Sequence, residues 1–243
     1  MIFLDFDGVL FDTVDEAYAV SVIASGKYSQ ISEIDFQGRH YKNFRQLRYL
    51  VSPAWNYQYL LKELESEQSL IQIKSNFLER VSVAQEEEYQ DFERLFFNTR
   101  RTLKEDDFER WSKLNNPFVF LDEIKFLFLD FKDWTYIVTT KDRSTVLELF
   151  SREGLKVEEK RVFDHEDYKN FGSKRDIIQS ILPQGVPSIF IDDSSRHIRD
   201  CSQIEGLKCL QPDWGYVDPG KRGVSYKTIV NEVIQLVGKK CTN

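Results

Sequence analysis

The chain has 243 residues, 41% hydrophobic and 14% aromatic, with a formal charge of −7 and a pI of about 5.2. That is enough apolar material for one or two domains, and the acidic balance argues against a nucleic-acid partner. No run reaches the ~18–20 apolar residues of a membrane span, and Ile2-Phe3-Leu4 is too short for a signal peptide.

Residues 1–4 read as a short, wholly apolar strand of the kind buried on both faces in parallel sheets. Thr13-Val14-Asp15-Glu16 has the spacing of a capping box, so a helix is expected from about Val14 towards Ser25, with Gly26 as its stop. From there to about Asn116 the patterns are helical. Tyr41–Leu50 forms one helix, broken at Ser52-Pro53. Leu60, Leu61, Leu64, Ile71, Leu78 and Val81, then Phe92, Leu95 and Phe96, fall near helical spacing. The acidic run Gln85–Asp91 reads as a solvated helix face, and Thr102-Leu103-Lys104-Glu105 as a second capping box before another short helix. Asn115-Asn116-Pro117 is a turn signal and a boundary.

Beyond Pro117 the rhythm changes. Leu121–Phe131, Ser144–Arg152, Lys174–Ile181 and Tyr226–Val237 read as helices. Trp134–Val138, Lys160–Phe163, Ser188–Ile191 and Leu207–Leu210 read as strands. Strand alternating with helix implies a parallel, Rossmann-like α/β sheet with right-handed crossovers. The expected organisation is an α/β core over residues 1–14 and 116–243, with an all-helical cap domain, 15–115, inserted between its first and second strands. The three cysteines, Cys201, Cys209 and Cys241, lack CxxC spacing and read as reduced thiols of a cytoplasmic protein.

Ligands bind parallel α/β sheets outside the carboxyl ends of the strands. Three such ends carry polar residues: Asp5 and Asp7, Thr139 and Thr140, and Asp192 and Asp193. Each alone is an ordinary cap or turn residue. Together they bring four carboxylates and two hydroxyls to one place. Clustered carboxylates repel unless a cation lies among them or a proton is shared. A few hard oxygen donors suit Mg²⁺, which completes its shell with water and substrate phosphate. Lys174, at an expected helix start, adds positive charge.

These segments resemble the haloacid-dehalogenase-like (HAD) phosphohydrolases. Asp5-Phe6-Asp7-Gly8-Val9-Leu10 is similar to that family's first motif and Tyr136-Ile137-Val138-Thr139-Thr140-Lys141 to its second. Gly172-Ser173-Lys174 is similar to the third, and Ile189-Phe190-Ile191-Asp192-Asp193-Ser194 to the fourth. Gln211-Pro212-Asp213-Trp214-Gly215-Tyr216 looks like a tail of the phosphoglycolate-phosphatase-like members, and the helical insertion sits where the family's type-1 cap sits. The resemblance implies that Asp5 is the nucleophile and Asp7 the general acid and base. It implies that Thr139, the Thr140 backbone, Gly8 and Lys174 bind phosphate. Mg²⁺ would be held by the Asp5 carboxylate, the Asp7 carbonyl and Asp193, with Asp192 a weaker ligand or a support for Lys174. The dehalogenating members lack the acid matched by Asp7, so its presence points to phosphate transfer. Where many members carry a later Asp in the fourth motif, this chain has His197, expected on a helix surface. Asp12 reads as a structural or hinge residue.

The implied function is a Mg²⁺-dependent phosphatase acting on a small phosphorylated metabolite through an aspartyl-phosphate. A cap closing over the site would supply specificity. The basic cap segment Arg39–Arg48 is either a contact for an anionic substrate or a solvated face paired with acidic segments. A phosphosugar mutase and a nucleotidase on the same core are alternatives. A non-catalytic phosphate-binding regulatory protein is the rival from another class, and its usual mark would be a lost Asp5, Asp7 or Lys174.

Overall fold

The computed structural model describes residues 1–84 and 86–240, with side chains at all of these except 86–89, 239 and 240. Cys241 and most of the side chains of the acidic run Gln85–Asp91 thus lie outside the described residues. The chain divides into two compact units: Met1–Asp12 with Asn116–Asn243, and Thr13–Asn115. It opens with β1 (Ile2–Leu4) and β2 (Phe11–Asp12). The second unit follows as α1 (Val14–Ala24), α2 (Arg39–Leu47), α3 (Tyr57–Leu64), α4 (Leu70–Val83), α5 (Glu86–Asp106) and α6 (Phe108–Ser112). The chain returns through β3 (Asn116–Pro117), α7 (Val119–Glu123), α8 (Lys125–Leu129), β4 (Thr135–Val138), α9 (Arg143–Arg152) and β5 (Val162–Phe163). It ends with α10 (His165–Phe171), α11 (Lys174–Ile181), β6 (Ser188–Ile191), α12 (Ser195–Cys201), β7 (Leu207–Leu210) and α13 (Tyr226–Lys240).

The first unit is an α/β fold on a five-stranded parallel sheet in the order β5-β4-β1-β6-β7. Ile2, Phe3 and Leu4 are fully buried at its centre, and Leu4 lies in register with Ile137 on one side and Ile191 on the other. A strand with neighbours on both sides and helices over both faces has no solvated side, so it is apolar throughout. Phe3 packs with Val138, Phe190, Ile177 and Ile178, which brings α11 onto its face of the sheet. Phe6 stacks on Phe11 and meets Phe150 of α9 edge-on. The chain winds outward from β1 in both directions, so the strand order switches between β1 and β6. Open α/β sheets form ligand crevices at such a switch.

The second unit is held by an aromatic core and a buried ion pair. Tyr18 meets Tyr41 and Phe44, Phe44 stacks on Tyr57, and Tyr57 stacks on Phe96. Arg100 Nε donates to Glu16 Oε1 at 2.6 Å, which ties α5 to α1, and its guanidinium also lies over the Phe96 ring. Of the basic segment, Arg45 lies 3.5 Å from Asp15, while Arg39 and Arg48 donate to the carbonyls of Gln68 and Val51. Among the described residues no helix is long and apolar enough to cross a membrane.

Several local expectations need correction. Thr13 does precede the first turn of α1, but its side chain makes no capping bond, and Glu16 faces Arg100 instead. Thr102 and Glu105 lie inside the single 21-residue helix α5, where a capping-box spacing has no free N–H groups to satisfy. Leu121–Phe131 is two short helices, α7 and α8. Asn116 and Pro117 are not a turn but the antiparallel partners of Asp12 and Phe11. Helices α10 and α12, which bracket the third and fourth motifs, are additional to the helices expected from sequence.

Candidate active site

Three of the motif residues reach the carboxyl edge because the sheet ladder runs one residue past the strand. Asp5 N donates to Ile191 O at 2.9 Å, Thr139 N to Phe163 O at 2.9 Å, and Asp192 N to Leu210 O at 3.3 Å. The three side chains are buried there. After Asp5 the chain folds back at once, with Leu10 N and Phe11 N both donating to Phe6 O and Gly8 N to Phe11 O. That turn holds Gly8 at φ +81°, a conformation that favours glycine. A Cβ on Gly8 would also lie 2.0 Å from Asp193 Oδ2.

Lys174 is the electrostatic centre. It opens α11 behind the N-cap Ser173, whose hydroxyl accepts from Asp176 N. Its side chain is buried, with Nζ 2.9 Å from Asp5 Oδ1 and 2.7 Å from Asp192 Oδ2. An unpaired buried ammonium would be expensive, so two carboxylates are the condition of its burial. Burial pushes the Asp5 carboxyl up to about 6 despite the attraction of Lys174. Burial acts the same way on Asp192, but Lys174 and His197 outweigh it and hold that carboxyl at about 2. Burial by itself lowers an ammonium; Asp192 and Asp5 reverse this and raise Lys174 above its ordinary value.

His197 is not on a surface. It is buried, with Nδ1 3.1 Å from Asp192 Oδ2 and 3.3 Å from Oδ1. The expectation failed because Ser194 caps α12 and turns position 197 back towards β6. Asp192 also accepts from Ser194 N at 2.7 Å, so both of its oxygens are engaged by the protein. Asp5 Oδ1 likewise accepts from Phe6 N, whereas among the described residues Asp5 Oδ2 has no such partner. Asp193 Oδ2 accepts from Tyr216 N at 2.8 Å, and its carbonyl accepts from Gln211 Nε2.

Carboxylate oxygens of Asp5, Asp192 and Asp193 lie within 4.8 Å of one another. This compact, all-oxygen, buried donor set fits a hard divalent cation. Thr140, unlike Thr139, is exposed. Asp7 is half-buried and 3.3 Å from Lys141 Nζ, itself fully buried. Sequence alone assigns no role to Lys141 or to the tail, although Lys141 stands within Thr139-Thr140-Lys141. The tail packs against the turn after β1: Trp214 Nε1 donates to Val9 O, Tyr216 OH donates to Asp12, and a Cβ on Gly215 would lie 1.9 Å from Gly8 O.

No protein-family model matches the chain, and no curated protein matches it. Solved structures do. A haloacid-dehalogenase-like family hydrolase from Streptococcus pneumoniae superposes with a TM-score of 0.53 at 16% identity, covering 90% of this chain and 86% of that one. A predicted phosphatase from Clostridium acetobutylicum gives 0.58 at 12% identity, covering 96% and 97%. A candidate beta-phosphoglucomutase from Thermotoga maritima gives 0.51 at 14%, covering 96% and 98%. The chain has the HAD-like fold.

Proposed function

We propose that the protein is a Mg²⁺-dependent phosphatase that hydrolyses a small phosphate monoester through an aspartyl-phosphate on Asp5. The observation that carries this reading is Asp5 itself. At the strand switch, its Oδ1 is fixed by Phe6 N and Lys174, and Oδ2 remains for a reacting group. Asp5 Oδ2 attacks phosphorus, and the bond from phosphorus to the leaving oxygen breaks as Asp7 gives that oxygen a proton. Water then attacks phosphorus, its proton passes to Asp7, and the acyl-phosphate bond returns its electron pair to Asp5. Thr139 and the Thr140 backbone bond phosphoryl oxygens, and Lys174 balances their charge.

Asp5, Asp193 and the Asp7 carbonyl would hold Mg²⁺, which when bound supplies charge stabilisation for the transferring phosphoryl group. Asp192, spent on Lys174, Ser194 and His197, serves as the support of Lys174. The phosphatase- and mutase-type names among the structural neighbours support this class of chemistry. The test is release of phosphate from a generic aryl phosphate with Mg²⁺, abolished by Asp5→Asn. Absence of turnover across a broad phosphate-ester panel would overturn the reading.

A further inference from the structure

We infer that Lys141 is a positioning residue for Asp7, holding the carboxylate that moves the proton in both half-reactions; this rests on the phosphatase reading above. Lys141 is 1% exposed, and its Nζ lies 3.3 Å from Asp7 Oδ1. Burying an ammonium costs several kcal/mol unless an anion meets it, and Asp7 is such an anion. The backbone around Lys141 is held as well. Lys141 N donates to Thr139 Oγ1 at 3.2 Å, and Asp142 caps α9 by accepting from Thr145 N at 2.9 Å. The ammonium is thus carried on a segment anchored at the end of β4 and the start of α9.

Asp7, by contrast, sits on the loop after β1 with a side chain 19% exposed. A carboxylate that must reach first the leaving oxygen and then the attacking water needs its direction set, and displacement by an ångström costs rate steeply. Lys174 cannot set it, since that ammonium is committed to Asp5 and Asp192. Two buried lysines therefore divide the work: Lys174 serves the nucleophile, and Lys141 serves the proton carrier.

Leaving-group chemistry separates this role from a general one. With p-nitrophenyl phosphate the phenolate departs without a proton, so forming the aspartyl-phosphate does not need Asp7, whereas hydrolysing it does. In rapid-mixing kinetics, Lys141→Met should keep the wild-type rate of the nitrophenolate burst. The steady phase should fall by roughly 10²-fold, the low end of what acid–base catalysis contributes. With an alkyl phosphate both steps should slow and no burst should appear. Lys141→Arg, which keeps the charge, should recover part of the steady phase and provides the reading if Lys141→Met does not fold. A proportional fall of both phases on p-nitrophenyl phosphate, or an unchanged steady phase, would overturn the role of Lys141 alone. A wild-type protein that turns over neither ester would overturn the phosphatase reading and this inference with it.

Discussion

Lys174 and Asp192 form a buried ion pair, 2.7 Å from Nζ to Oδ2, with side chains 1% and 0% exposed. The pair joins the start of α11 to the end of β6, and Asp5 completes it from β1. Its members cannot be removed one at a time without leaving a buried charge unmatched.

Lys174→Met should therefore cost about 3–5 kcal/mol of stability, as breaking a buried pair does, measured by denaturant unfolding. Asp192→Asn should destabilise in the same direction. An effect within about 0.5 kcal/mol, the size expected at an ordinary surface site, would contradict the burial of the pair.

The two acids that end β6 should separate in a metal titration. On the proposed assignment Asp193→Asn removes a Mg²⁺ ligand and should weaken Mg²⁺ binding by more than about tenfold. Asp192→Asn should leave Mg²⁺ affinity near wild type while turnover drops, because its oxygens already serve Lys174, Ser194 and His197. Equal losses of affinity would place both acids on the metal.

Asp5 gives a signed pH dependence. Its carboxyl is at about 6 in the fold against 3.8 ordinarily, raised chiefly by burial. Between those values the folded protein keeps a proton that the unfolded chain releases. That stabilisation is complete below the lower value and disappears as pH rises through the upper one. With metal chelated, Asp5→Asn should gain stability relative to wild type from pH 4 to 6.5. Parallel pH profiles for the two proteins would refute this.

His40 in the helical unit runs the other way. Burial, aided by Lys27, pushes it down to about 4, and Tyr18 OH lies 2.9 Å from its Nδ1. The fold favours the neutral ring, so this contribution is full above the ordinary value of 6.5 and is lost as pH falls towards 4. His40→Gln should flatten the acid limb of a denaturant-midpoint profile over that window; an unchanged limb would assign it to other groups.

Gly215→Ala tests the packing of the tail against Gly8. Gly215 holds φ +83°, and its new Cβ would meet Gly8 O at 1.9 Å. A left-handed alanine alone costs ~1–2 kcal/mol. The clash is with backbone, so Gly8 and the neighbouring Asp193 must also shift. Stability and Mg²⁺ affinity should both fall, where a merely strained surface loop would lower only the first.

Sequence alone was enough for the strands that build the site. Ser188–Ile191, Leu207–Leu210 and the helix Lys174–Ile181 were legible to the residue, because short, largely apolar segments bounded by polar or turn residues alternate there with a helical pattern, which admits few readings other than a parallel sheet. The same logic placed Asp5, Thr139, Asp192 and Asp193 at strand ends. Local pattern failed where the partner was remote. A two-residue ladder between Phe11–Asp12 and Asn116–Pro117 is too short to show a period. A capping-box spacing at Thr102 cannot reveal that the helix already runs through it. Burial of Lys141 and Lys174 was decided only in three dimensions, because each is set by acids far away in the chain: Asp7 for Lys141, and Asp5 with Asp192 for Lys174. The chain order specifies which residues arrive at the sheet edge; which charges meet there, and hence which acid is left for metal or substrate, follows from distances of about 3 Å that only the packed strands and helices create.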